Sequence, residues 1–201
     1  MSNRRIVLAS TSRHRRALLE RAGLHDVLCV APRCDEAIDE DVVPPRAMVR
    51  QLAERKARSV AADYPDALVL GADQVVELDG RALGKPGTAE RAVEQLLALA
   101  GREHRLLTGL CVYEPRSGRS EVDVDVHRMT MWPLDRARLE RYVALDQPLD
   151  CAGAYRVEST GVTLFSSMAG DDFTAIVGLP LCRLAALLDR FGVTLLDLAG
   201  D

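Results

Sequence analysis

A chain of 201 residues with 48% hydrophobic and 28% charged side chains is globular in composition and long enough for a sizeable core. Its net charge of −4 excludes a general binder of polymeric nucleic acid, which needs a basic footprint, but leaves room for one nucleotide in a local basic pocket. No apolar run approaches the ~18 residues of a membrane span.

The five cysteines form no CxxC pair and no long apolar segment opens the chain, which predicts reduced thiols in the cytoplasm. The four histidines show neither HxH nor HExxH spacing, so a histidine-built zinc site is not expected.

In chain order, Ile6 to Ala9 predicts a short buried strand. Ser10-Thr11-Ser12 and Arg13-His14-Arg15-Arg16 follow, then a helical pattern through Ala17, Leu18, Leu19 and Ala22 that Gly23 stops. Arginines in a first helical turn oppose the helix dipole, and a phosphate bound at the helix N-terminus would repair the mismatch. A serine cap with a solvated basic face is the other reading. Val27 to Pro44 is loop-like, with acids at Asp35, Glu36, Asp39, Glu40 and Asp41 that spacing alone does not separate.

Pro44-Pro45 opens a helix whose apolar stripe is Met48, Val49, Leu52, Ala53, Ala57, Val60 and Ala61. Lys56 falls inside that stripe, where an ammonium must reach an anion or snorkel to water. Ala67 to Leu70 is an apolar run, and Asp73-Gln74 stands where a buried strand is expected to end. Val75 to Leu78 resumes it, Asp79-Gly80 signals a two-residue hairpin, and the return ends in Gly84-Lys85-Pro86. An acid at a strand end with a lysine nearby suits a phosphate or a metal; an ordinary hairpin with both groups solvated suits the same residues.

Thr88 caps a helix running to Ala100. His104 to Tyr113 is a strand interrupted at Thr108-Gly109, and Val122, Val124 and Val126 alternate with Glu121, Asp123, Asp125 and His127 as a strand with one wet face. Leu134 to Leu145 is a short helix, Asp150 to Glu158 a mixed segment able to border a pocket, Gly161 to Phe165 a strand, and Leu179-Pro180 the start of a last helix. Without repeat or linker, residues 1–201 are expected to form one domain.

Several motifs together give this chain a resemblance to the Maf-like nucleotide pyrophosphatases: LASTSRHRRALLERAGL, LAERKA, GADQVVELDG with GKP, GREH with TG, CAGAY and VGLPL, in that order. The resemblance implies an α/β fold with a mixed twisted sheet in two lobes around a deep cleft, and frequently a homodimer. It implies hydrolysis of a nucleoside triphosphate between its α- and β-phosphates with a divalent cation, Mg or Mn. Carried over by position, Asp73 corresponds to the proton acceptor. Lys56, Lys85, Ser10, Arg15 and Glu36 correspond to the polar groups around phosphates and metal, with Glu36 and Asp73 toward the metal.

The pair Asp73-Gln74 and the acid Glu158 resemble the branch that acts on 7-methyl-GTP, whereas the dTTP/UTP branch has Asp-Thr and a glutamine. Glu158 would accept from the guanine N1–H and amino group. His14 stands where that branch can carry a tryptophan, which weakens stacking on the methylated base. The alternatives are the same chemistry on dTTP or UTP, and a nucleotide-binding regulator of cell division without turnover.

Overall fold

The computed structural model describes residues 4–38 and 42–199. Asp39, Glu40 and Asp41, three of the acids named above, lie outside the described residues. Among the described residues seven strands form one mixed sheet in the order β2-β1-β3-β5-β6-β7, with β4 paired to β3. β1 (Ile6–Leu8) runs parallel to both β2 (Leu28–Cys29) and β3 (Leu68–Leu78). The remaining pairings, of β3 with β4 (Arg81–Leu83) and on through β5 (Glu103–Glu114), β6 (Arg119–Met131) and β7 (Phe165–Ala169), are antiparallel.

Helix α1 (Arg13–Arg21) follows β1, and α2 (Pro45–Ala61) leads into β3. The hydrophobic stripe expected on α2 is buried throughout, from Met48 to Ala61. Two glycines let this helix lie against the sheet. A Cβ on Gly71 would stand 2.0 Å from the Ala53 carbonyl oxygen, and one on Gly109 would stand 2.3 Å from that of Val49. Thr108-Gly109 therefore does not interrupt β5; the glycine keeps the strand continuous beneath a closely packed helix.

Helix α3 (Ala89–Leu99) and helix α4 (Arg136–Asp146) pack around Val76, Leu96, Leu99, Met129, Tyr155 and Phe165. Short α5 (Phe173–Val177), α6 (Leu181–Asp189) and the one-turn α7 (Leu195–Leu198) complete the chain, and α6 joins a second apolar cluster with Leu8, Leu19, Leu70 and Leu110. Fully burying each such leucine stabilises the fold by roughly 1.5–3 kcal/mol, so β1 and the first half of β3 are firmly held. No described helix is long and apolar enough to cross a membrane, and all five cysteines are free thiols.

The structure departs from the sequence expectations at four further places. Asp73 lies in the middle of an eleven-residue strand, not at its end. Leu28–Cys29 pairs as β2 inside the segment read as loop. Thr160–Leu164 is a 3₁₀ turn and the strand begins only at Phe165; Gly161 folds back onto the backbone five residues earlier, where a Cβ would stand 2.2 Å from the Arg156 carbonyl oxygen. Asp125 and His127 on β6 are buried rather than wet; they bind each other across 2.8 Å, and Arg183 of α6 donates to Asp125 at 2.8 Å. Burial works against the charged Asp125, yet the hydrogen bonds from His127 and Arg183 outweigh it and hold its carboxyl below the usual range.

Candidate active site

The middle of β3 explains why a strand end was expected there. On its β5 side the strand is paired without a break through Asp73 and Gln74. On its other side, β1 pairs only as far as Leu70 and β4 begins only at Val76. The intervening stretch has an open edge. Because side chains alternate along a strand, Asp73 and Gln74 leave it toward opposite faces, and the gap lets one cavity reach both. That cavity has a volume of about 810 Å³, large enough for a nucleotide.

On the α2 face, Lys56 donates to Asp73 Oδ1 at 2.6 Å and lies 2.8 Å from Glu36 Oε2. The lysine thus reaches anions instead of snorkelling. It is 6% exposed and Asp73 9%, whereas half of the Glu36 side chain is open to the cavity. Two carboxylates from distant segments converge on one ammonium.

The turn between β1 and α1 forms the adjoining wall. Ser12 caps α1, no acid stands in its first turn, and the Ser10 hydroxyl accepts from the Ser12 backbone N–H at 3.2 Å and from Arg15 Nη1 at 3.3 Å. Arg15 also donates through Nε to the Gly178 carbonyl at 2.9 Å, tying α1 to the loop after α5. Burial lowers the Arg15 pKa, opposed by the charges of Asp73 and Glu36; a guanidinium remains protonated regardless. Cation, capped helix terminus and hydroxyl together make this wall suited to phosphate.

Elsewhere along the cavity, His14 Nδ1 lies 3.0 Å from Glu158 Oε1. Gln74 turns toward α5, and Tyr155, Val157, Ile176 and Val177 supply apolar and aromatic lining. Tyr155 is backed by buried His104, whose Nε2 stands 3.2 Å from the phenol oxygen. Lys85 lines the cavity from an exposed position after β4 and makes no ion pair among the described residues.

All nine residues singled out from the sequence therefore border one cavity: Ser10 and Arg15 at the turn into α1, Glu36, Lys56 and Asp73 in one ion-paired group, the His14–Glu158 pair, Gln74 and Lys85. Sequence reasoning missed Thr108, which it took for a break in a strand, and the carbonyls of α5. The TG pair was the available signal for the first; nothing in the sequence points to the second.

For a hard divalent cation the donors are of the right kind. Glu36 and Asp73 offer oxygen at a single point, as Mg²⁺ and Mn²⁺ require. Among the described residues no cluster of three or more His, Cys, Asp or Glu could cage a metal by itself. Mg²⁺ is commonly held by one or two carboxylates together with substrate phosphates and water, and the pair fits that pattern.

A mixed α/β sheet whose open strand edge sets carboxylates, a lysine and a capped helix terminus around a nucleotide-sized cavity defines a nucleotide-processing class of protein. The family described as Maf-like protein matches residues 5–191, and the chain belongs to it. It is 42% identical over 191 residues to the 7-methyl-GTP pyrophosphatase of Bdellovibrio bacteriovorus, covering 94% of this chain and 98% of that one. To the 7-methyl-GTP pyrophosphatase of Pseudomonas savastanoi pv. phaseolicola it is 44% identical over 191 residues, covering 94% and 97%. Among solved structures, the nucleoside-triphosphatase (dITP/XTP pyrophosphatase) of Mycobacterium abscessus aligns with 65% of this chain and 75% of its own, with a TM-score of 0.44 and 16% identity.

Proposed function

We propose that this protein is a nucleoside triphosphate pyrophosphatase that hydrolyses 7-methyl-GTP to 7-methyl-GMP and diphosphate, clearing a modified nucleotide from the pool. The observation that carries the reading is the convergence of Lys56, Asp73 and Glu36 in a cavity that Ser10, Arg15, Gln74 and Glu158 also line. Similarity to relatives named for that activity supports the choice of base.

In this reading the α1 terminus, Ser10 and Arg15 hold the phosphate chain, and Lys56 and Lys85 offset its negative charge as the bond between α- and β-phosphates breaks. Asp73 orients the attacking water and takes its proton. A divalent cation, Mg²⁺ or Mn²⁺, held between Glu36, Asp73 and the phosphates, would supply further charge neutralisation. The carboxylates repel a phosphate chain that arrives without a counter-cation, which is a reason for Lys56 to stand between them. His14, Gln74 and Glu158 receive the base. We further propose that residues 1–201 act as one domain on free nucleotides in the cytoplasm and pair as a homodimer, as the family resemblance implies.

Diphosphate release from equal concentrations of 7-methyl-GTP, GTP, dTTP and UTP, with Mg²⁺ or Mn²⁺, tests the reading. Fastest release from 7-methyl-GTP is expected. Preference for dTTP or UTP would replace the substrate, and binding without release would leave a regulator.

A further inference from the structure

Gln74 and Thr108 are register partners on β3 and β5, so their side chains share the face of the sheet turned toward α5. The Gln74 amide nitrogen donates to Thr108 Oγ1 at 2.9 Å, to the Ala175 carbonyl at 2.8 Å and to that of Ile176 at 3.2 Å. Backbone carbonyls only accept, which identifies the amide atom facing them as the nitrogen. Its two hydrogens are consumed by three acceptors, and none remains for a ligand. Thr108, 1% exposed, closes the arrangement by donating its own hydroxyl to the Ala175 carbonyl at 3.0 Å. Its oxygen is then left with lone pairs for Gln74.

The Gln74 oxygen has no partner among the described residues and is not sealed from solvent; it lies 3.9 Å from where a Cβ on Gly178, a residue of the cavity wall, would stand, beside the Arg15 side chain, whose Nε donates to the Gly178 carbonyl. It is an acceptor, like both oxygens of Glu158. We infer that Thr108 is a positioning residue for substrate choice: it fixes the Gln74 amide with its oxygen toward the cavity, making position 74 an acceptor-only contact that selects a base edge presenting N–H groups. The inference rests on the proposed activity at this site and extends it from the residues that meet the base to one that does not.

A purine with N–H donors at that edge satisfies Gln74 and Glu158 together. A base presenting a carbonyl there leaves two acceptors facing a third, with no donor between them. Such an unpaired arrangement costs more than a missing contact. Releasing the amide would let its NH₂ rotate toward the cavity and soften this discrimination.

Thr108→Val keeps the volume and removes the hydroxyl; Thr108→Ser keeps the hydroxyl. In the folded Val variant the kcat/KM ratio of GTP over UTP should fall roughly three- to ten-fold, the equivalent of one hydrogen bond. The change should lie mainly in KM, and the Ser variant should retain the wild-type ratio. Independently of catalysis, the Gln74 side-chain amide protons of ¹⁵N-labelled protein should exchange slowly in the wild type and in the Ser variant, and faster in the Val variant. If Val prevents folding, Thr108→Cys, with its weak thiol, takes its place. Unchanged exchange and an unchanged nucleotide ratio in a folded Val or Cys variant would overturn the inference. A wild type inert on all four triphosphates would instead remove the proposed activity, and the exchange measurement would still decide whether Thr108 fixes the amide.

Discussion

Lys56 donates to Asp73 across 2.6 Å, from a helix to the strand beneath it, and both side chains are nearly shielded from water. An ammonium and a carboxylate withdrawn from water are stable only as a pair, so each residue fixes the other. The same contact leaves the second Asp73 oxygen free of any described partner and available to a water or a cation.

Asp73→Asn keeps the shape of the side chain, and Glu36 still offsets Lys56. Folding should survive. Turnover of the best nucleotide should fall ~10²–10⁴-fold, the range for loss of a general base. Steady-state rates with a matched melting curve decide it, and wild-type turnover would rule out the role assigned to Asp73.

Lys56→Met removes the cation that, among the described residues, both carboxylates contact directly, and leaves Asp73 and Glu36 without it. Truncating one partner of a buried pair costs about 3–5 kcal/mol, and the half-open Glu36 puts this case toward the lower end. In buffer with chelator the melting temperature should drop clearly. Mg²⁺ or Mn²⁺ should restore part of it by occupying the same point, while turnover stays low. A variant whose stability ignored both chelator and metal would show that the two carboxylates do not form a cation site.

His104 supplies a pH signature of stability. Burial pushes its pKa down to about 4, its Nδ1 has no partner among the described residues, and Tyr155 meets the other nitrogen. An unfolded histidine binds its proton near pH 6.5 and the folded one resists it, so the unfolded state gains protons first as pH falls. Stability is therefore complete above pH 6.5 and lost between there and about pH 4, by roughly 3 kcal/mol at most. Chemical denaturation across that window should show the loss in the wild type and a flatter profile in His104→Gln, which keeps a polar partner for Tyr155 but does not titrate.

The sequence showed the α/β class and which polar residues would share a cavity, but not the strand pairing that brings them there. The apolar stripe of α2 was legible from its 3.6 period, and Lys56 stood out because a charge breaks that stripe. Asp79-Gly80 was legible because few residues tolerate the hairpin turn, where both have positive φ. Asp73 stood out chemically, but its place on the strand was misjudged, because an open edge on one side of β3 is a property of where β1 and β4 stop pairing. Gly109 resembled a strand break because helix packing on a sheet is invisible to local patterning. Asp125 and His127 resembled a wet face because their cover, Arg183, comes from a helix some sixty residues further on. Most of what remained hidden was a contact between segments far apart in the chain; the turn at Gly161, which packs on Arg156, is a local exception.

In the proposed function, base choice would turn on a contact that the free protein already makes. His14 Nδ1 lies 3.0 Å from Glu158 Oε1, and Arg13 donates to His14 Nε2 at 3.3 Å, so a neutral His14 carries its hydrogen on the nitrogen facing Glu158. A base must exchange this partner for its own N–H groups. Guanine brings two kinds of donor to the exchange; a pyrimidine offering fewer leaves the carboxylate with His14. Glu158→Gln replaces one acceptor oxygen by a donor and should lower turnover of 7-methyl-GTP while narrowing its lead over dTTP and UTP. His14→Trp should act in the opposite direction, freeing Glu158 and adding an aromatic face to the cationic methylated ring, worth about 0.5–2 kcal/mol. Its margin for 7-methyl-GTP over GTP should widen accordingly. Competition among equal concentrations of the four triphosphates, followed by product analysis, measures both variants against the wild type. An unchanged order of consumption in Glu158→Gln would separate Glu158 from base choice, and a wild type that consumed dTTP or UTP first would assign the cavity to pyrimidines.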